Sequence, residues 1–131
     1  HPVSDKKTVI VSGATYGIGR GIVIDLARRG YAVVGFGLDG RQPGSAAANG
    51  IQGTKDALEA EGLSADILEA DVSKADAVAG VVAHALGKGG VIHGAVNNAA
   101  MLCQHVRYHL NRHISINRLR RLVGFFCPIH Q

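Results

Sequence analysis

The chain has 131 residues, 47% of them hydrophobic and 18% charged, with 18 glycines and a formal net charge of +4. Such a length and composition suit one globular domain with a real core and exclude a disordered or collagen-like chain. The net charge hides an asymmetry: residues 1–100 hold nine Lys/Arg against ten Asp/Glu, whereas residues 101–131 hold five Arg, four His and no acidic side chain.

Residues 8–12 (Thr-Val-Ile-Val-Ser) form a β-branched run that ends at Gly13, as a strand buried on both faces would. From Gly17 to Arg29 the residues Ile18, Ile22, Leu26 and Ala27 recur at helical spacing, and Gly30 is the expected stop. Residues 32–36 (Ala-Val-Val-Gly-Phe) predict a second strand with Gly37 at its tip. The Gly-, Ser- and Asn-rich stretch 37–50 predicts a loop or a late helix start. A helix is expected over 51–61, ending at Gly62, and a weaker third strand over 65–70. Ser73 is the expected cap of a helix over 74–86, with Val78, Val81, Val82 and Leu86 on one side. Residues 91–96 predict a fourth strand. The alternation βαβαβαβ implies an α/β fold of Rossmann type, a parallel sheet with right-handed crossovers and helices on both faces.

The chemistry concentrates in Ser12-Gly13-Ala14-Thr15-Tyr16-Gly17-Ile18-Gly19, between the first strand and the first helix. A pyrophosphate has to approach backbone N–H groups at a helix N-terminus, and side chains at the turn would block it. Gly13 is expected to turn the chain out of the strand, Gly17 to admit the phosphates, and Gly19 to let the helix pack on the sheet. Thr15 and Tyr16 are placed for the adenosine side. A generic glycine-rich strand–helix turn is the competing reading, and the strand before and helix after favour phosphate binding. Asp39 lies twenty residues after Gly19, the separation at which an acidic residue meets the adenosine ribose. It is equally readable as a turn residue, and nearby Arg41 as a partner for a 2′-phosphate, so both NAD and NADP stay open. Asp71-Val72 closes the third strand, where Asp71 can accept from an adenine amino group and Val72 pack on the ring; the same pair reads as ordinary helix capping. Asn97-Asn98-Ala99-Ala100 closes the fourth strand with small and amide side chains. All these motifs fall at the carboxyl ends of strands, where ligands bind in open α/β sheets.

With these residues the chain resembles the short-chain dehydrogenase/reductase family, whose members carry Thr-Gly-x3-Gly-Ile-Gly, then Asp-Val, then Asn-Asn-Ala-Gly. It departs mildly, with Ser12 for Thr and Ala100 for Gly. The match covers about the first hundred residues and is similar to the 3-oxoacyl-carrier-protein reductase branch. The resemblance implies NAD(P)-dependent interconversion of alcohols and ketones, with Asn98 and Ala99 lining the adenosine and ribose and Asp71 the adenine. It also implies a dimer or tetramer. The family's catalytic Tyr-x3-Lys is absent here: of Tyr16, Tyr31 and Tyr108, the last is followed by Arg112 at that interval, but it stands only ten residues beyond Asn98. A guanidinium is no substitute for an ammonium at such a site. Asn117 lies in the region of a further catalytic Asn, in neighbours that do not match. No catalytic residue is therefore expected in this sequence, which leaves a non-catalytic cofactor-binding or interaction module as the alternative function.

The alternation fails beyond residue 101, so residues 1–100 read as a dinucleotide-binding unit and residues 101–131 as a basic tail. A helix over 103–122 stays open, though the apolar spacing is poor. The break suggests a truncated chain, about half of a full family member, whose tail comes from a shifted frame or another exon. Nucleic-acid binding by the five arginines is disfavoured by modest charge density and by aromatics that do not interleave with them. A zinc site built on Cys103, His105, His109, His113, Cys127 and His130 is disfavoured by the absence of paired Cys-x2-Cys spacing, so no metal is expected. His84 and His93 read as ordinary helix and strand residues. An unpaired sheet edge predicts a homo-oligomer. With no membrane-length apolar run, no signal peptide and only two cysteines, the cytoplasm is the expected location.

Overall fold

A computed structural model describes residues 6–39, 50–98 and 116–126. Strand β1 (Thr8–Ser12) is buried along its whole length, as its β-branched sequence requires of a central strand. Parallel ladders join it to β2 (Ala32–Gly37) on one side and to β4 (Gly94–Val96) on the other. β2 in turn pairs in parallel with β3 (Asp66–Glu69), and the sheet order is β3-β2-β1-β4. Because every strand runs the same way, all four carboxyl ends share one edge.

The strand side chains alternate between two cores. Ile10, Val34 and Phe36 face one side, where they meet Val78 and Val82 of α3 (Ala75–Leu86) and Val123 and Phe126 of α4 (Ile116–Phe126). Val9, Val11, Val33 and Ile67 face the other side, against Val23 of α1 (Gly17–Arg28) and Leu58 of α2 (Gly50–Glu59). Helices thus cover both faces, as the alternation predicts. The ring of Phe126 meets Phe36 edge-on at 5.3 Å between centroids, so a helix beyond the compositional break at residue 101 shares the core of the unit before it.

Helix α1 stops where glycine predicts. The Gly30 N–H donates to Ala27 O and the Tyr31 N–H to Leu26 O, a Schellman pair with Leu26 and Tyr31 packed in the same cluster. Two expectations need correction. Ser73 does not cap α3: the N-cap is Lys74 and carries no side-chain cap bond. The Ser73 hydroxyl and N–H both donate instead to Oδ1 of Asp71, 2.7 and 2.9 Å away, which closes a local Asx turn before the helix begins. The fourth strand is also shorter than 91–96. His93 N–H donates to Thr8 O, but the His93 ring turns back so that Nδ1 accepts from Thr8 N–H, and regular pairing starts only at Gly94. No helix among the described residues is long and apolar enough to cross a membrane.

Candidate dinucleotide site

The turn from β1 into α1 lies at the shared carboxyl edge of the sheet. Its first glycine, Gly13, has φ +67°, and Gly17 has φ +50°, left-handed backbone that side chains with a Cβ rarely adopt. A Cβ on Gly17 would meet nothing within 4 Å, so its dihedral angle alone demands glycine there. Gly19 is the opposite case. A Cβ there would lie 1.7 Å from Gly13 O and 2.8 Å from Nδ2 of Asn98. The close approach that needs Gly19 is thus between the helix start and the ends of β1 and β4.

Tyr16 is the N-cap of α1, with extended backbone and no side-chain cap bond, and the first turn holds no acidic residue. The N–H groups of Thr15, Tyr16, Gly17, Ile18 and Gly19 make no hydrogen bond to another described residue; the first helical bond runs from Arg20 N–H to Tyr16 O. Five successive donors at the positive end of a helix, with no Cβ at Gly17 or Gly19 in the way, suit a bound anion. Ile18 beside them is 77% exposed.

Each neighbouring strand end supplies one of the expected residues. At β2, Thr15 is buried against Gly37, whose added Cβ would come 3.0 Å from the Thr15 hydroxyl, and Tyr16 OH donates to Asp39 O. Asp39 follows β2, and its Oδ1 accepts from Ile51 N–H at 2.9 Å, so the carboxylate sits on the first turn of α2. At β3, the Ser73 hydroxyl holds the Asp71 carboxyl below the usual carboxylate range; partial burial opposes this, and the Ser73 N–H and the Lys74 charge add to it. Val72 is only 5% exposed and belongs to the core, so little of its side chain is left to cover a ring. At β4, the Asn98 N–H donates to Ser12 Oγ and its Nδ2 to Gly13 O. The Ser12 hydroxyl donates to Asn97 Oδ1, and Asn97 Nδ2 donates to Phe125 O of α4.

Asp71, Asp39, the loop and Asn98 therefore line one edge in sheet order. Ala99, Ala100, Arg41, Tyr108 and Arg112 lie outside the described residues, as do both cysteines, His105, His109, His113 and His130; Asn117 falls in the first turn of α4. Among the described residues no group of three or more His, Cys, Asp or Glu could hold a metal ion.

Sequence reasoning missed contacts at three places. Arg20 reaches from α1 to α2 (Nε to Thr54 Oγ1, 3.0 Å). His84 and Lys88 both meet Oδ2 of Asp66 at 2.7 Å. The bond from Asn97 to α4 is the third. All join residues 18 or more apart in sequence and leave no local signal. A cleft of about 270 Å³ lined by Lys6, Thr8, Tyr31, Ser64, Asp66 and Lys88 lies at the opposite, amino edge of the strands and holds none of the predicted site residues.

Residues 7–122 match the family model described as short chain dehydrogenase. Among solved structures, the chain is similar to the glucose dehydrogenase of Caenorhabditis elegans in its apo form (29% identity over 72% of this chain and 38% of that one, TM-score 0.60). It is also similar to a short chain dehydrogenase/reductase of Burkholderia phymatum in complex with NAD (27% identity, 70% and 30%, TM-score 0.57). A variant of actinorhodin polyketide ketoreductase solved with NADPH matches over 96% of this chain and 49% of its own, at 22% identity and TM-score 0.65, which shows the fold. The chain spans less than half the length of each of these three proteins. No curated protein sequence matches it.

Proposed function

The chain belongs to the short-chain dehydrogenase family, and from that premise we propose that its glycine loop binds a nicotinamide dinucleotide, NAD or NADP, as the cofactor-holding part of an oxidoreductase. The observation that carries the proposal is the row of N–H groups from Thr15 to Gly19 that have no hydrogen-bond partner among the described residues, at a helix start with no acidic residue. They are the donors a pyrophosphate needs, and Gly13, Gly17 and Gly19 keep Cβ atoms out of its path.

The remaining roles follow sheet order. Asp39, steadied by α2, accepts from the adenosine ribose hydroxyls; its charge favours the diol of NAD over the 2′-phosphate of NADP. The second carboxylate oxygen of Asp71 accepts from the adenine amino group. Thr15, Tyr16, Ile18 and Asn98 flank the dinucleotide, with Ala99 and Ala100 continuing the β4 end. Val72 contributes through the core beneath rather than as a face for the ring.

A nicotinamide dinucleotide supplies hydride donor or acceptor chemistry when bound. This sequence contains no Tyr-x3-Lys, so proton transfer to a carbonyl or alcohol substrate is assigned to none of its residues. The proposal stops at cofactor binding by residues 1–100, with α4 of the basic segment as a buttress on the opposite side of the sheet from α1 and α2. The proposed location is the cytoplasm, which cell fractionation tests.

Isothermal titration of the 131-residue chain with NADH and with NADPH tests the reading. Saturable binding, tighter for NADH, is the expected result; no heat with either refutes it. Self-association is a second proposal. Among the described residues β4 pairs only with β1, and Phe125 beside it is 46% exposed. An open strand edge next to apolar surface favours pairing with another copy. A monomer by light scattering contradicts that proposal alone.

A further inference from the structure

Arg20 is the first residue of α1 to make a regular helical bond, and its side chain leaves the helix to cross to α2. Nη2 donates to Thr15 O at 2.7 Å and to Gly50 O at 3.3 Å; Nε donates to Thr54 Oγ1 at 3.0 Å. Thr54, fully buried, passes its own hydroxyl hydrogen to Ala14 O at 2.9 Å, with Thr15 O 3.3 Å away. Two successive carbonyls of the glycine loop are thus drawn toward α2. In a trans peptide the carbonyl and the following N–H point in opposite directions. Holding Ala14 O and Thr15 O on the α2 side therefore turns the N–H groups of Thr15 and Tyr16 away from it, toward the open side of the loop. If either plane were to flip, a carbonyl oxygen would face the anion in place of a donor.

Space for the guanidinium has been left in the sequence. A Cβ on Gly53, inside α2, would lie 2.5 Å from Nη2 and 3.1 Å from Cζ of Arg20. Helix α2 accepts a residue with poor helix propensity at this buried position. The tip of Arg20 also lies 6.0 Å from the ring centre of Tyr16, which is the N-cap of α1.

We propose that Arg20 is a positioning residue for the dinucleotide: with Thr54 it clamps the glycine loop to α2 and sets the peptide planes that present the Thr15 and Tyr16 N–H groups. The inference rests on the dinucleotide reading above. It makes affinity for the cofactor depend on a helix face that no cofactor atom need touch.

The test is Gly53→Ala, because the obstructed group is the flexible end of Arg20, which can swing aside while the variant stays folded. The alanine favours the helix and offsets part of what the lost Arg20 bonds cost, so the melting temperature should fall by only a few degrees. With the guanidinium displaced, NADH should bind roughly 10-fold or more weakly, the loss expected when a charge-assisted donor leaves the loop. Thr54→Val, which keeps the shape and removes the hydroxyl, should weaken binding likewise, and Thr54→Ser should restore it. Wild-type affinity in both Gly53→Ala and Thr54→Val overturns the proposal. Should the wild-type chain bind neither NADH nor NADPH, the dinucleotide reading fails first, and amide hydrogen exchange at Ala14 of the free proteins, whose N–H donates to Phe36 O, decides the clamp. Faster exchange in Gly53→Ala supports it; unchanged exchange overturns it.

Discussion

The sharpest test of the loop geometry is Gly19→Ala, because the structure supplies its own control two residues away. The new methyl carbon would lie 1.7 Å from Gly13 O and 2.6 Å from Gly13 C. Both are backbone atoms and neither can swing aside as a side-chain tip can. To regain an ordinary contact the helix start and the loop must separate by more than an ångström, and overpacking of this kind costs about 1–3 kcal/mol. Alanine's better helix propensity returns up to ~1 kcal/mol, so the variant should remain folded. The separation moves Gly13 relative to the donors from Thr15 to Gly19. Each hydrogen bond to a charged group contributes about 1.5–3 kcal/mol. Losing one or two lowers dinucleotide affinity roughly 10- to 100-fold or more. Gly21→Ala, on the same helix, meets nothing within 4 Å; it should bind as the wild type does and melt slightly higher. Calorimetric titration with NADH, beside a thermal melt of each variant, reads both quantities. Equal affinity in Gly19→Ala and Gly21→Ala would refute the argument that the loop binds through backbone held at this spacing.

Asp39→Asn keeps an oxygen for Ile51 N–H and removes the charge, so the NADPH:NADH affinity ratio should rise several-fold to about 10-fold in paired titrations. At Asp66 burial pushes the carboxyl pKa up, but hydrogen bonds from Lys88 and His84 outweigh it and leave the pKa lowered. A lowered folded pKa contributes stability above the unfolded value of ~3.9, and that contribution is lost as pH falls through the folded value. Urea midpoints measured across the acid range should therefore fall less steeply in Asp66→Asn than in the wild type. Phe126, 1% exposed and edge-on to Phe36, should cost about 3–5 kcal/mol when truncated to alanine, a large part of the stability of a small domain; an unchanged urea midpoint would show that α4 does not share the core in solution.

What could be read from the sequence was what is decided locally. Gly13 and Gly17 are needed for their own backbone angles, and Gly30 for the hydrogen bonds that end α1; each need lies within a few residues and leaves a pattern. Gly35 looks no different from any strand glycine, nor Gly53 from any helix glycine. Their need is tertiary: a Cβ on Gly35 would meet the Ala14 Cβ at 2.6 Å, and one on Gly53 would meet Arg20. Asp39 shows both kinds at once. Its spacing from Gly19 marked it, but its contact with Ile51 N–H, twelve residues on, left no local signal.

Helix α4 shows how a local signal can be lost to the choice of window. Taken over 103–122, the basic segment has no helical period. Taken over 116–126, Leu122, Val123 and Phe126 stand at helical spacing and lie on the core side of the helix. Charge and glycine content change at residue 101, and Val123 and Phe126 nevertheless pack in the same core as Ile10, Val34 and Phe36. The Asn97 amide makes the same point at the site itself, since it joins the β1 end through Ser12 to the Phe125 carbonyl of α4. Displacing α4 should therefore disturb the Asn97–Asn98 end of the cofactor edge as well as the core, so a loss of stability in Phe126→Ala accompanied by unchanged NADH affinity would separate the two.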